Sequence, residues 1–175
     1  LRDGILYGVD TRAAAEIAQM TAEIGAGTIL ERCGNALTSQ SVGPKILWLK
    51  RNEPEVYDRA ATFHTSTSFV VHRLTGERVI DHYTAANFSP LYDAGAQDWT
   101  DDLAPGLVRP DQLPRLMWSN EIAGAVTARA AEATGLAPGT PVTVGTIDAG
   151  AEAVSVGVRQ TGDMMLMYGS TIFII

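Results

Sequence analysis

The most informative patterning lies toward the end of the chain. Residues 142–147 (VTVGTI) are a largely β-branched run that predicts a fully buried strand, and residues 149–156 follow as a helix rich in Ala. Asp148 stands where strand gives way to helix. A carboxylate there can cap the first turn, whose free N–H groups and dipole favour an acceptor, or it can carry chemistry at a strand end; the residues alone leave both readings open. Gly150, Ala151, Ala153, Ser155 and Gly157 leave the helix with little bulk, so another backbone or a ligand can approach it closely. Further on, apolar runs at 164–167 and 172–175 predict two strands around Gly169, Ser170 and Thr171. A Gly followed by two hydroxyl residues suits a hairpin turn, and it suits a phosphate held by backbone N–H groups and hydroxyls equally well.

Upstream, residues 5–9 predict a strand, and Thr11 an N-cap for a helix over 12–24 with Ala14, Ile17, Ala18, Thr21 and Ile24 on its apolar side. A shorter helix over 28–32 is bounded by Gly25 and Gly27 before it and Gly34 after it. Residues 44–51 read as a buried helix opening on Pro44, and Pro54 opens the next, to residue 61. The pattern then predicts a helix over 65–74 stopped by Gly76, a strand at 79–80, and a turn opened by Asp81 or Thr84. Asp101 and Asp102 read as a helix start, 110–114 as a turn into a small helix, and 123–126 as a strand. Thr127 caps a last upstream helix over 128–134 that Gly135 ends. This alternation makes the chain α/β, with a helical middle and the strands at its two ends.

Composition narrows the partners. The 175 residues are 46% hydrophobic with a mean hydropathy of +0.05, ordinary for a globular protein of one domain or a little more. The net charge of −7, with 13 scattered Lys and Arg, gives no basic surface for nucleic acid. No run approaches the roughly 18–20 apolar residues of a membrane span, and no basic-then-apolar segment leads the chain. Cys33 stands alone, which excludes an intrachain disulfide or a multi-Cys metal site; it reads as an inert, partly buried thiol in a reducing compartment. His64, His72 and His82 lack acidic or Cys partners at ligand spacing, and Asp98, Asp101 and Asp102 read as a helix N-terminal cluster, so no metal site is expected. The absent initiator Met and the apolar end at Ile175 read as an internal piece of a longer protein.

Several motifs in order point the same way. Gly145-Thr146-Ile147-Asp148-Ala149 running on to Gly157 is similar to a G-x-x-D-a pattern followed by small residues, and Gly169-Ser170-Thr171 to a G-T-S phosphate loop with its hydroxyls reordered. Lys45 to Lys50 with Pro54-Glu55 is similar to K-x-x-W-l followed by n-x-P-e. Arg73-Leu74-Thr75-Gly76-Glu77 is similar to r-L-T-G-e, Asp81 with Thr84-Ala85-Ala86 to D-x-s-x-A-s, and Leu6 to Arg12 to a strand ending in D-x-R. Together they resemble the FGGY carbohydrate kinases, the sugar-kinase branch of the actin-like ATPase (ribonuclease H-like) fold, which includes xylulose kinases. The likeness spans nearly the whole chain. Gly8 stands where many members carry Trp, and Ser68 where many carry Asp.

The resemblance implies a partial fold. Residues 1–157 would be the later part of the sugar-binding N-terminal domain, and 158–175 the first strands of the nucleotide-binding C-terminal domain. It implies a cytoplasmic enzyme, a homodimer at full length, that uses ATP and Mg2+ to phosphorylate a sugar or polyol hydroxyl, most closely a pentulose such as xylulose. Asp148 takes the general-base position. Asp10, Arg12 and Gln40 fall on the substrate side, and Gly169, Ser170 and Thr171 on the ATP phosphates. On the residues alone, Asp10 can instead cap its helix and Arg12 can pair with Glu16 one turn on. An inactive actin-like sugar sensor or scaffold would share these strands but lose the base, which Asp148 retains. A Ser hydrolase would need a G-x-S-x-G elbow, which the chain lacks.

Overall fold

A computed structural model describes residues 3–169 and 172–175. The helical first half is cut into pieces by residues that cannot continue a helix. α1 (Ala14–Ile24) and α2 (Ala26–Cys33) share Gly25 as a one-residue joint at φ +92°, and Gly34 closes α2 in the left-handed conformation. α3 (Val42–Asn52) starts before Pro44, with Ser41 at its N-cap, and Pro54 is the first residue of α4 (Pro54–Arg59). α5 (Ser66–Thr75) opens on a capping box between Thr65 and Ser68 and ends at Gly76, again left-handed.

Strands enter only after α5. β1 (Val79–Asp81) runs directly into α6 (His82–Ala85), because the Asp81 carboxylate accepts the Thr84 N–H at 3.3 Å and caps it. β2 (Tyr92–Asp93) pairs antiparallel with β3 (Asp98–Trp99), whereas β4 (Arg115–Met117) returns to pair parallel with β1, Asp81 opposite Met117. β5 (Ile122–Ala125) leads into α7 (Ala128–Thr134), capped by Thr127 at 3.2 Å to the Ala130 N–H and stopped by left-handed Gly135. β6 (Pro141–Thr143) pairs antiparallel with β5 across an irregularity between Ile122 and Gly124. α8 (Asp148–Ser155) follows, then the antiparallel hairpin of β7 (Leu166–Tyr168) and β8 (Ile172–Ile174).

The larger core joins α1 to α4 to the segment after α6, through Met20, Ile29, Ile46, Leu49, Phe88 and Leu91. A smaller one lies between α5, β1 and β5, through Val71, Val79, Ala123 and Val144. Among the described residues, no helix is long and apolar enough to cross a membrane.

Two expected elements are absent and a third is shortened. Residues 5–9 form no strand: residues 7–9 are a turn with Gly8 at φ +66°, the Val9 N–H bonds the Tyr7 carbonyl at 2.6 Å, and Val9 is 79% exposed. A strand needs a neighbour for its N–H and C=O groups, and among the described residues none lies beside it. The acidic stretch near 101 starts no helix; Asp98 is in β3, while Asp93 and Asp102 both take Arg32 of α2, the latter at 3.2 Å. The run at 142–147, expected as a fully buried strand but with Val144 its one fully buried residue, is regular only to Thr143, which is exposed. Beyond it, the N–H groups of Val144 and Gly145 bond the carbonyls of Glu121 and Ser119, each at 3.0 Å.

Candidate functional site

The site is built around the turn from β6 into α8. Ile147 is the N-cap, extended at φ −70° and ψ 161°, and Asp148 is the first helical residue. Asp148 therefore does not cap the helix. Its Oδ1 accepts only the adjacent Ala149 N–H at 2.8 Å, its carboxylate is exposed, and among the described residues it forms no ion pair. A carboxylate in the first turn is favoured by the helix dipole, and one without a cation partner is free to accept a proton from a ligand.

The turn at Tyr7 is brought toward this carboxylate. Burial raises the Tyr7 phenol above its ordinary pKa, and the charge of Asp148 and then Tyr83 raises it further. The turn is held from below by Lys45, 7% exposed, whose Nζ donates to the Leu6 carbonyl at 2.8 Å. Burial lowers the Lys45 pKa, and the nearby Asp10 partly offsets this. The K-x-x-W pattern carried Lys45, but its bond to a residue 39 positions earlier leaves no mark in sequence.

Asp10 and Arg12 lock onto each other. The guanidinium donates through Nε at 2.8 Å to Oδ1 and lies at 2.7 Å from Oδ2 through its Nη2, and it sits 4.8 Å from the centre of the Trp48 ring. The hydrogen bond from Arg12 holds the Asp10 carboxyl down at about 2. Neither alternative role survives. Ala13, not Asp10, stands at the α1 N-cap, and Glu16, the expected partner of Arg12, is buried and pairs with Arg51 at 3.3 Å. Gln40 is exposed beside this turn: its Cγ is 3.8 Å from where a Cβ on Gly8 would stand.

Two clefts among the described residues lie elsewhere. One, of about 660 Å³, opens between α1, α3 and residues 102–107, and the other, of about 530 Å³, between α5 and α7; neither is lined by Asp10, Arg12, Gln40 or Asp148. Gly169 is an exposed bend after β7, while Ser170 and Thr171 lie outside the described residues. Among the described residues, no three His, Cys, Asp or Glu side chains converge to hold a metal ion. The histidines have other partners: His64 bonds Ser68 at 3.2 Å and stacks on His72 at 5.2 Å, and His82 bonds the Tyr92 hydroxyl at 2.9 Å. Cys33 is buried, which raises its pKa and keeps it a thiol.

Comparison with known proteins matches this arrangement to a family. The chain is 32% identical over 172 residues to a xylulose kinase of Escherichia coli (strain K12), covering 98% of this chain and 34% of that protein. It is 31% identical to an autoinducer-2 kinase of Yersinia enterocolitica over 93% of this chain and 31% of the relative. The crystal structure of xylulose kinase from Rhodospirillum rubrum superposes with a TM-score of 0.86 at 35% identity, covering 93% of this chain and 33% of that one. The chain thus spans about a third of the length of these relatives. The N-terminal domain model of the FGGY family of carbohydrate kinases matches residues 2–155, and the chain belongs to that family, with its actin-like ATPase fold.

Proposed function

We propose that the complete protein transfers the γ-phosphoryl group of ATP to a hydroxyl of a small sugar, a pentulose such as xylulose, with Asp148 as general base. The observation that carries this reading is Asp148 itself, an exposed carboxylate without a cation partner among the described residues, at the start of a helix of mostly small residues and close to the Tyr7 turn. As the sugar oxygen bonds to phosphorus and the bridging P–O bond breaks, the hydroxyl proton moves to the Asp148 carboxylate. A loose phosphoryl-transfer transition state needs alignment and charge neutralisation more than covalent help, and one well-placed acceptor supplies the proton step.

The Asp10–Arg12 pair is internally neutralised. Its role on the substrate side is to fix the Tyr7–Asp10 turn and present polar edges to sugar hydroxyls, with Gln40 beside it. Gly169, Ser170 and Thr171 offer a donor set suited to phosphate oxygens, one glycine backbone and two hydroxyls. ATP, when bound there, supplies the phosphoryl group, and Mg2+ accompanying its phosphates neutralises their charge. In this reading residues 1–157 close the sugar-binding domain and 158–175 open the nucleotide-binding one.

The test is Asp148→Asn in a full-length kinase carrying this stretch. The near-isosteric amide removes the proton acceptor alone, so sugar phosphorylation should fall by about 10²–10⁴ while ATP affinity by calorimetry stays close to wild type. Turnover within about tenfold of wild type would remove Asp148 from the mechanism.

A further inference from the structure

We infer that Thr146, anchored by the buried carboxylate of Asp81, is a positioning residue for Asp148; the inference rests on the general-base reading above. Asp81 is 3% exposed at the end of β1, where pairing with β4 fixes its backbone opposite Met117. Its Oδ2 accepts two donors: the Thr84 N–H at 3.3 Å, which caps α6, and the Thr146 hydroxyl at 2.8 Å, from a residue 65 positions away. The Thr146 carbonyl is held in turn by the Thr67 hydroxyl of α5 at 3.3 Å. One residue of the strand-to-helix turn is thus bonded both to β1, in a separate two-stranded sheet, and to helix α5.

Thr146 also bears on the helix that carries Asp148. A Cβ on Gly150 would lie 3.1 Å from Thr146 Oγ1 and 3.2 Å from its Cγ2, so the Thr146 side chain is packed against the first turn of α8. The connection runs from β1 through a charge-assisted hydrogen bond to Thr146, and by contact to the helix start two residues beyond. Among the described residues the Asp148 carboxylate has no contact of this kind, its one bond being to the neighbouring Ala149 N–H. Its position is therefore set by what holds the turn, and a carboxylate aligned with a reacting hydroxyl tolerates little displacement.

The experiment uses the full-length kinase with Thr146→Val, which keeps the shape and removes the hydroxyl, and Thr146→Ser, which keeps the hydroxyl. Steady-state kinetics with xylulose and ATP are read beside the melting temperature. T146V should lower kcat by about tenfold with both KM values within about twofold of wild type, and T146S should restore kcat to within about twofold. Three results overturn the inference: kcat of T146V within twofold of wild type, losses in KM and melting temperature with kcat spared, or T146S impaired as much as T146V. Asp148→Asn in the same assay separates the layers. If that variant keeps turnover, the general-base reading and this inference fall together; if it is inactive while T146V is unchanged, only this inference falls.

Discussion

His64 makes the stability of this domain depend on pH in a calculable way. It lies just before α5, bonded to the Ser68 of the capping box, and burial, then the neighbouring His72 and Arg78, lower its pKa from 6.5 to about 4. The folded protein therefore holds His64 neutral over a range in which the unfolded chain protonates it. As pH falls from about 6.5 to about 4, the unfolded state gains a proton that the folded state refuses, and stability is lost across that window; below it both states are charged and the loss stops. That window spans about 2.5 pH units at about 1.36 kcal/mol each, a ceiling near 3.4 kcal/mol, which the partial exposure of His64 reduces to about 1–2 kcal/mol. At about 2–4 °C per kcal/mol for a domain of this size, the melting temperature should drop by about 2–8 °C between pH 7 and pH 4.5 from this residue alone. Carboxylates titrate near the lower end, so the assay is a difference: calorimetric melting of wild type and His64→Gln at matched pH. The Gln side chain keeps a partner for Ser68 and does not titrate, so its curve should be flatter by that amount. Two curves that fall in parallel would refute the reasoning.

Two other substitutions probe the core and the nucleotide side. Gly43→Ala would place a Cβ 2.8 Å from Pro90 Cδ and closer still to the Ser89 carbonyl; neither can yield, so a loss near 3 kcal/mol, or about 6–12 °C in melting temperature, is expected, and an unchanged melting curve would show that α3 is not seated this tightly. Gly169→Val in the full-length kinase should weaken ATP binding by calorimetry with pentulose affinity little changed, because a branched side chain blocks close approach of the backbone to phosphate; equal losses for both ligands would mean that the hairpin itself had unfolded.

Features set within a few residues were legible in the chain. Gly34, Gly76 and Gly135 end their helices because each adopts a left-handed conformation that a Cβ disfavours, and Thr127 caps α7 because its hydroxyl reaches an N–H only three residues on. Asp148 at the start of a small-residue helix was legible for the same reason, since a change from β-branched to small residues is local. Its failure to cap was not: the choice between N-cap and first helical residue turns on the backbone angles of Ile147, which the bonds of Val144, Gly145 and Thr146 to distant segments constrain.

Tertiary structure decided what depends on a neighbour. An apolar run becomes a strand only if another strand meets its backbone, so residues 5–9 read as a strand yet turn at Gly8, while residues 115–117, with no strong pattern, pair with β1. Charges chose partners in the same way. Arg12 took Asp10, two residues away, in place of Glu16 on the next turn, because α1 buries Glu16 against α3, where Arg51 meets it. Lys45 beneath the Leu6 carbonyl and Asp81 beneath Thr146 belong to this class: sequence supplied the donors and acceptors, and only folding brought pairs 39 and 65 residues apart within a hydrogen bond.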